Sequence, residues 1–419
     1  MIKICDAIMG SGKSSAAISY MNSHPGKRFI YITPYLDEAK RIKDACAALR
    51  FVEPSSRLSQ YHFRKTEHIQ ALIEAGKNIS STHNMFLRFT PGMIRMLKEQ
   101  HYTLIIDEDV EVIDKCDNIT SFDLDFLVRL GIASIDGDSV TFTPPEGYEG
   151  AYNALFAIAR SRDLTLAPVN NNKGGNVFDA YYWVFSREIL DAFDDVFILT
   201  YMFEGQTLRW YFNLKGITFS YINVAYDGEE YSFTDGPGHV PEYIHTIRDR
   251  IHILDAPKLN AVGDAKNALS ATWFSKRGEE HADIDRLRKN VLNFFTNYTG
   301  VSTKQRMWTT FESSREKMKD KRFGRSFTAF NLRATNDYRS RTALAYCVNV
   351  FMNPFEKRYL TEHGVDPHED EYALSSMVQW VWRSAIRDGG EIHLYCPSRR
   401  MRELFVNWMN SLAEGGESE

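Results

Sequence analysis

The segment Ala7-Ile-Met-Gly-Ser-Gly-Lys-Ser14 carries the residue types needed to hold phosphates. An apolar strand pattern precedes it and a helical pattern, 15–21, follows it, so its backbone N–H groups stand at a helix N-terminus, where anions bind. Ala7 departs from the strict pattern, which has glycine there. The residues expected to bind a nucleoside triphosphate, with the Ser14 hydroxyl on Mg²⁺, are Gly10, Ser11, Gly12, Lys13 and Ser14.

Two adjacent acids follow the clearest strand pattern of the chain, Tyr102-Thr-Leu-Ile-Ile-Asp107. In parallel α/β sheets, ligands lie beyond the carboxyl ends of the strands. There Asp107 would hold Mg²⁺ through water, and Glu108 would deprotonate the water that attacks the γ-phosphate. Because Asp109 and Glu111 lengthen the acidic run, the sequence leaves open which carboxylate is the base. Without the phosphate loop, the pair would be equally consistent with an acidic turn.

A third group is formed by Gln379, Arg383 and Arg387, each four residues after the one before, in a predicted helix over 371–387. Side chains four residues apart lie on one helical face. Two guanidiniums presented in this way can stabilise charge on the γ-phosphate in the transition state. The alternative is a solvated polar stripe on an amphipathic helix.

The elements that must position these groups alternate in type. Strand patterns at 29–33, 77–82 and 102–107 are separated by helical patterns, which predicts a parallel sheet with helices on both faces. Alternation stops after Asp114 and resumes with a helix at 186–193, so 115–185 is predicted to be an insertion. We expect such an insertion to steer or split a duplex.

Later segments form a second alternating block after two β-rich segments, 208–213 and 217–224. The predicted strands of the second block are 250–254, 307–311, 326–330 and 391–395, and its predicted helices are 284–297, 313–320, 340–352, 371–387 and 399–412. The predicted fold class is therefore α/β, with two parallel-sheet lobes and an insertion in the first.

Length and composition exclude several classes of protein for this chain. A chain of 419 residues exceeds the usual size of a single hydrophobic core. It has no run of about 18 apolar residues that would span a membrane, and the phosphate loop occupies the place of a signal peptide. Five scattered cysteines predict neither disulfides nor a zinc site, so a cytoplasmic location is expected. Because the net charge is −5, any nucleic-acid-binding surface must be local.

Taken in order, the phosphate loop, Asp107-Glu108 and the Gln379–Arg387 segment resemble the ATPase motifs of superfamily 2 helicases of the DEAD/DEAH-like type. Phage-encoded helicase-like proteins carry similar blocks, so a phage or prophage origin is expected. The small and acidic residues of 413–419 predict a disordered tail. The resemblance implies two RecA-like lobes, one over 1–114 with 186–226 and one over 227–412. It also implies ATP and Mg²⁺ as cofactors, with Arg383 and Arg387 supporting hydrolysis and Gln379 sensing the γ-phosphate.

Further segments look like the family's nucleic-acid-contacting motifs. They follow predicted strands, where side chains or backbone groups could bind phosphates. The residues concerned are Thr33, Pro34, Thr82, His83, Arg333, Thr335 and Asn336. The last three could equally cap a helix. A basic run, 315–325, is either a groove for the nucleic-acid backbone or a solvated helix face. Stacking of bases on Phe86, Phe89, Trp183 or Trp210 is a weaker alternative to a place in the core.

The family also has a Ser-Ala-Thr motif that links the acidic pair to the second lobe, and this chain offers two candidate positions for it. Ser270-Ala-Thr272 matches its letters, but no strand pattern precedes it, and we interpret it as a helix start. The strand pattern ending in Thr200-Tyr201 fits the motif's structural place better.

The resemblance implies an ATP-dependent helicase or translocase, with DNA favoured over RNA, acting in phage DNA replication or recombination, where replication proteins are possible partners. One alternative is a terminase-type packaging ATPase, although the C-terminal half shows no convincing nuclease acid cluster. Another is a nucleic-acid-binding module that uses ATP as a clamp without unwinding.

Overall fold

The computed structural model describes residues 1–34, 36–62, 64–168, 178–331 and 338–414. The chain divides into two units. The first comprises Met1–Ala7, Gly12–Gly238 and Asn353–Pro367, and the second comprises Ile8–Ser11, His239–Met352 and His368–Glu419.

The first unit is built on strands and helices that alternate along much of the chain. Its strands are β1 (Ile2–Asp6), β2 (Arg28–Thr33), β3 (Ile79–Thr82), β4 (Tyr102–Asp107), β5 (Ile113–Lys115), β6 (Ala133–Asp136), β7 (Ser139–Phe142), β8 (Arg162–Pro168), β9 (Phe178–Phe185), β10 (Asp195–Thr200), β11 (Ser220–Tyr226) and β12 (Tyr231–Thr234). Its helices are α1 (Lys13–Ser23), α2 (Leu36–Ala45), α3 (Lys65–Glu74), α4 (His83–Phe86), α5 (Pro91–Gln100), α6 (Ser121–Arg129), α7 (Asn153–Ala159), α8 (Arg187–Leu190) and α9 (Thr207–Leu214).

The main sheet of the first unit has the strand order β12-β11-β1-β10-β4-β2-β3, and every pair except β11–β12 is parallel. Its central strands are apolar runs such as Phe29–Ile32 and Leu104–Ile106, as expected for strands covered on both faces. β10 lies between β1, which leads into the phosphate loop, and β4, which ends in Asp107. The carboxyl ends of these three strands therefore meet at one edge of the sheet.

A separate antiparallel sheet interrupts the first unit between β4 and β10, in the order β5-β9-β8-β7-β6. It has its own apolar core, in which α6 contributes Leu124 and Leu127, and β8 and β9 contribute Leu164, Leu166 and Trp183. The predicted insertion is thus an antiparallel sheet with its own helices rather than another strand–helix repeat.

The second unit contains a parallel sheet of order β13-β16-β15-β14. Its strands are β13 (Ile251–Ile253), β14 (Arg306–Thr309), β15 (Ala343–Tyr346) and β16 (Ile392–Tyr395). The helices in this part of the sequence are α10 (Ile247–Arg250), α11 (Pro257–Asn260), α12 (Ala271–Ser275), α13 (Ala282–Asn293), α14 (Arg315–Met318), α15 (Pro354–Glu362), α16 (Glu369–Val381) and α17 (Arg399–Glu414), of which α15 belongs to the first unit. The predicted α/β class with two parallel sheets is confirmed.

Three predicted elements are wrong. The segment 208–213, predicted as β, is helix α9, in which Leu208, Tyr211 and Phe212 are buried at helical spacing. The predicted helix 340–352 contains strand β15, because its four buried residues pair with both β14 and β16, and this tertiary pairing overrides the helix propensity of Ala and Leu. The predicted strand 326–330 makes only an isolated bridge between Phe327 and Trp308.

Candidate nucleotide-binding site

The phosphate loop connects β1 to α1 and depends on glycine. Gly10 and Gly12 have φ angles of 87° and 90°, a region that other residues rarely adopt. A Cβ atom on Gly12 would lie 2.1 Å from Cδ1 of Tyr231, so the neighbouring strand β12 also excludes a side chain there. Both the left-handed backbone and the packed Tyr231 ring therefore require glycine at this position, directly before α1.

Lys13 lies at the first position of α1 and donates a hydrogen bond to the carbonyl oxygen of Ala7. Desolvation by burial lowers the pKa of Lys13, while the charges of Cys5, Asp107 and Asp6 oppose that shift. A lysine desolvated beside carboxylates, in a loop built for phosphates, is placed to pair with an anion.

The loop and the acidic pair meet at Asp107. The Ser14 hydroxyl donates to Asp107 Oδ2 at 3.1 Å, and the Tyr31 hydroxyl donates to the same oxygen at 2.7 Å. Burial, together with the Glu108 charge, raises the pKa of Asp107 to about 6, although the hydrogen bonds from Tyr31 and Ser14 oppose the shift. A serine hydroxyl and a carboxylate in contact are oxygen donors of the kind that Mg²⁺ prefers.

Glu108 is held in an unusual conformation directly after β4. Its φ angle is 65°, which is rare for a residue with a side chain, and its N–H donates to the Leu199 carbonyl at 2.9 Å. Its Oε2 atom is buried and has no hydrogen-bond partner among the described residues. Backbone strain and an unsatisfied buried acceptor both cost stability, and such features concentrate at functional sites.

His83, the first residue of α4, directly follows β3 and supports the same acidic turn. Its Nε2 atom lies 2.9 Å from the carbonyl oxygen of Asp107, so Nε2 carries the proton in this hydrogen bond. His83 is largely buried and Thr33 is fully buried. Thr82 and Pro34 are partly exposed. Of these four predicted nucleic-acid contacts, only Pro34 and Thr82 therefore have accessible surface. Thr33 is buried, and His83 instead holds the backbone of the acidic pair.

The turn after β10 is fixed by residues that the sequence analysis did not identify. The Gln206 amide donates to Thr200 Oγ1 at 2.6 Å and to the Tyr201 carbonyl at 2.9 Å. Asp6, which ends β1, accepts from the Phe203 N–H at 3.0 Å. Thr200 is the last residue of β10, the strand between β1 and β4. This is the position in the fold that the sequence analysis favoured for the family's Ser-Ala-Thr motif. Ser270, by contrast, caps helix α12 by accepting from the Trp273 N–H, so the predicted helix start is confirmed.

Gln206, Tyr31 and Tyr231 are supporting residues that sequence reasoning missed. Tyr31 lies within an apolar strand pattern, and Gln206 lies two residues before the segment 208–213, which was wrongly predicted as β, so neither residue stood out. The alternation of side chains along β2 could have indicated that Tyr31 points to the same face as Phe29, but its contact with Asp107 joins residues 76 positions apart.

In the second unit, the predicted common face of Gln379, Arg383 and Arg387 is wrong. Helix α16 ends at Val381, and Arg387 lies in a separate 3₁₀ turn, 385–388. The Ser384 hydroxyl donates to the Val381 carbonyl at 2.6 Å, occupying an acceptor at the helix end. Gln379 donates to Ser375 Oγ at 3.3 Å, and Arg383 is a buried arginine, 5% exposed.

The remaining candidates for nucleic-acid contact divide into three groups. Arg333, Thr335 and Asn336 lie outside the described residues. In the basic run, three of the six cations pair with neighbouring acids: Arg315 with Glu312, Lys319 with Glu316 and Arg322 with Asp320. These local pairs favour the solvated-face interpretation. Core positions, at most 2% exposed, are occupied by Phe86, Phe89, Trp183 and Trp210, which contradicts the base-stacking alternative.

This fold and site define a class: a parallel α/β protein with a phosphate-loop motif and an acidic pair at the carboxyl edge of its first sheet. Residues 245–409 match the model of the YonV C-terminal Rossmann-like domain. The SPbeta prophage-derived protein YonV of Bacillus subtilis (strain 168) is 33% identical over 419 residues, covering 98% of this chain and 99% of that protein. The chain belongs to the YonV family.

Solved structures show a weaker likeness. The chain is similar to an XPD helicase, with 10% identity, a TM-score of 0.43 and coverage of 99% of this chain and 95% of that one. It is also similar to S. tokodaii Xpd4, with 11% identity, a TM-score of 0.46 and coverage of 97% and 94%. Within the described ranges, no helix has the length and apolarity needed to cross a membrane.

Proposed function

We propose that this protein is an ATP-dependent motor on nucleic acid, a helicase or translocase of a phage or prophage, acting in the host cytoplasm on DNA rather than RNA. The observation that carries the nucleotide part is the hydrogen bond from Ser14 to Asp107, at 3.1 Å, which joins the phosphate loop to the acidic pair. The order of the motifs along the chain, which resembles that of superfamily 2 helicases, supports the motor part.

The residues fit a nucleotide with Mg²⁺. Ser14 and Asp107 supply adjacent oxygen donors, Lys13 is a desolvated cation, and Glu108 has a buried carboxylate oxygen without a hydrogen-bond partner among the described residues. ATP with Mg²⁺, when bound, supplies the phosphoanhydride bond to be cleaved and the charge that neutralises its phosphates.

Each residue then has a proposed role. Backbone N–H groups of Gly10–Gly12 and the Lys13 ammonium bind phosphate oxygens, and Ser14 and Asp107 hold the metal. Glu108 orients the attacking water and accepts its proton. Arg383 and Arg387 stabilise the charge of the transition state, and Gln379 senses the γ-phosphate. Pro34, Thr82, Arg333, Thr335 and Asn336 remain proposed contacts to nucleic acid.

The test is ATP hydrolysis with and without single-stranded DNA, duplex DNA and RNA, for the wild-type protein and for Lys13→Ala. We expect stimulation by DNA that disappears in Lys13→Ala, because the variant lacks the phosphate-binding cation. Hydrolysis that no nucleic acid changes would leave a nucleotide hydrolase and remove the motor. Strand separation in a duplex substrate then distinguishes a helicase from a packaging ATPase or an ATP-gated binding module.

A further inference from the structure

The insertion sheet carries an exposed apolar face that its own core does not use. On helix α6, Leu124 and Leu127 are buried in the insertion core, whereas Phe122 is 79% exposed and Phe126 46% exposed. Residues 122 and 126 are one helical turn apart, so both rings lie on the side of α6 opposite the buried leucines. The helix therefore has two apolar faces, of which one is covered.

The exposed face continues to the C-terminal end of the helix. Leu130, the residue that caps α6, is 55% exposed. Because Leu130 follows Phe126 by four residues, it lies on the same side of the helix as the two rings. We call Phe122, Phe126 and Leu130 the insertion patch.

Charge identifies the kind of partner that suits this patch. Residues 113–185 contain ten acidic and five basic residues, a net charge of −5, which equals the net charge of the whole chain. Asp125 on α6 and Asp136 on the adjacent strand β6, which packs against α6, are exposed, and neither forms an ion pair with a described residue. Arg129 is the cation of α6. Such a field repels phosphates and attracts a basic surface.

We propose that the insertion patch binds a protein segment that presents apolar side chains flanked by lysine or arginine. Exposed aromatic residues of this kind supply the buried centre of protein interfaces, and the surrounding acids provide the polar rim. This binding does not depend on the proposed motor activity, and it contrasts with the expectation that the insertion steers or splits a duplex, since its charge opposes contact with nucleic acid.

The test begins with a random peptide library displayed on filamentous phage, selected on the full-length protein and counter-selected on Phe122→Ser/Phe126→Ser. Because both rings are exposed, we expect this variant to keep its thermal unfolding midpoint and its ATP hydrolysis. Selected peptides should combine apolar residues with Lys or Arg. In fluorescence anisotropy a selected peptide should bind the variant at least tenfold more weakly than the wild-type protein.

A charge-reversed protein, Asp125→Lys/Asp136→Lys, provides the matched control. It keeps the apolar patch, so weaker binding of the basic peptide, together with weaker wild-type binding at high salt, supports the stated partner chemistry. The proposal is overturned if no peptide is enriched, if enriched peptides lack basic residues, or if charge reversal leaves their binding unchanged. It is also overturned if the patch holds two copies of this chain together, or if Phe122→Ser/Phe126→Ser weakens binding of single-stranded DNA.

Discussion

At the scale of single residues, Asp107 and Glu108 share one short turn but have different surroundings. Asp107 accepts two hydroxyl hydrogen bonds, from Ser14 and Tyr31. Glu108 has a positive φ angle and a buried carboxylate oxygen that lacks a hydrogen-bond partner among the described residues. This difference supports the assignment of metal binding to Asp107 and proton transfer to Glu108, a choice that the acidic run alone left open.

Glu108→Gln should separate ATP binding from hydrolysis. We expect hydrolysis to fall by about a hundredfold or more, because a general base contributes roughly 10²–10⁴ to the rate. Binding of a fluorescent ATP analogue should persist, since the amide keeps the size of the side chain. Glu111→Gln tests the neighbouring acid of the same run, and Glu229→Gln, an exposed acid in the β11–β12 hairpin, is the neutral control. A larger loss of hydrolysis in Glu111→Gln would reassign the base.

Asp107→Asn should stabilise the ligand-free protein at neutral pH. Burial raises the pKa of Asp107 from 3.8 to about 6, so the folded state keeps a proton that the unfolded chain releases at lower pH. Stability is therefore lost as the pH rises through this window, and an uncharged residue avoids that loss. We expect the thermal unfolding midpoint of Asp107→Asn to exceed that of the wild-type protein by a few degrees above pH 6, with the difference shrinking toward pH 4.

The exposed Asp235→Asn serves as the control in the same pH series and should show no such trend. A pH-independent difference for Asp107→Asn would mean that the Asp107 carboxylate is not destabilised by its burial.

At the scale of elements, strand β12 and helix α1 form one packed pair that shapes the phosphate loop. Tyr231 lies against Gly12, and Phe233 packs beside Tyr20 and Phe197 in the same apolar cluster. The antiparallel hairpin β11–β12 thus covers the first helix from the edge of the sheet. The loop conformation depends on this packing as well as on its own glycines.

Gly12→Ala should be strongly destabilising, for two separable reasons. The positive φ angle costs about 1 kcal/mol for a residue with a Cβ atom, and the new methyl would also overlap the Tyr231 ring. In thermal unfolding, the double variant Gly12→Ala/Tyr231→Ala should lose less stability than the sum of the losses in the two single variants. The reason is that the truncated Tyr231 side chain no longer overlaps the new methyl group. Gly131→Ala is the matched control, because its φ is 68° but a Cβ there would meet no atom within 4 Å. Equal losses for Gly12→Ala and Gly131→Ala would exclude crowding by Tyr231.

At the scale of the whole molecule, the chain does not divide into its two units at a single point. Residues Asn353–Pro367 follow strand β15 of the second unit in sequence but belong to the first. Within that unit, Tyr359 of α15 stacks on Tyr182 of the insertion sheet at 5.3 Å, and His363 Nε2 lies 2.5 Å from Asp138 Oδ2. Helix α15 is therefore part of the packing of the insertion sheet.

Tyr359→Ala should loosen the insertion sheet selectively. Removing a buried aromatic ring costs roughly 3–5 kcal/mol when it leaves a cavity. The strands that contact Tyr359 should therefore become less stable. In hydrogen exchange measured by mass spectrometry, peptides covering 178–185 should exchange faster, while those covering β15 and β16 should not. Phe355→Ala on the same helix is the control, since Phe355 is 48% exposed whereas Tyr359 is buried. Faster exchange confined to the second unit would contradict the placement of α15.

Local sequence patterns were enough to predict the phosphate loop, the acidic pair, the α/β class and the interruption of the first sheet. Each of these is written in local patterns: glycines before a lysine, acids after an apolar strand, or a break in alternation. The three-dimensional structure was needed to show that Tyr31 and Ser14 share one oxygen of Asp107 and that Ala343–Tyr346 is a strand. It was also needed to show that the helix carrying Gln379 ends before Arg383 and that α15 packs on the insertion. These features could not be predicted because they depend on contacts between residues distant in sequence, or on burial strong enough to override local propensity.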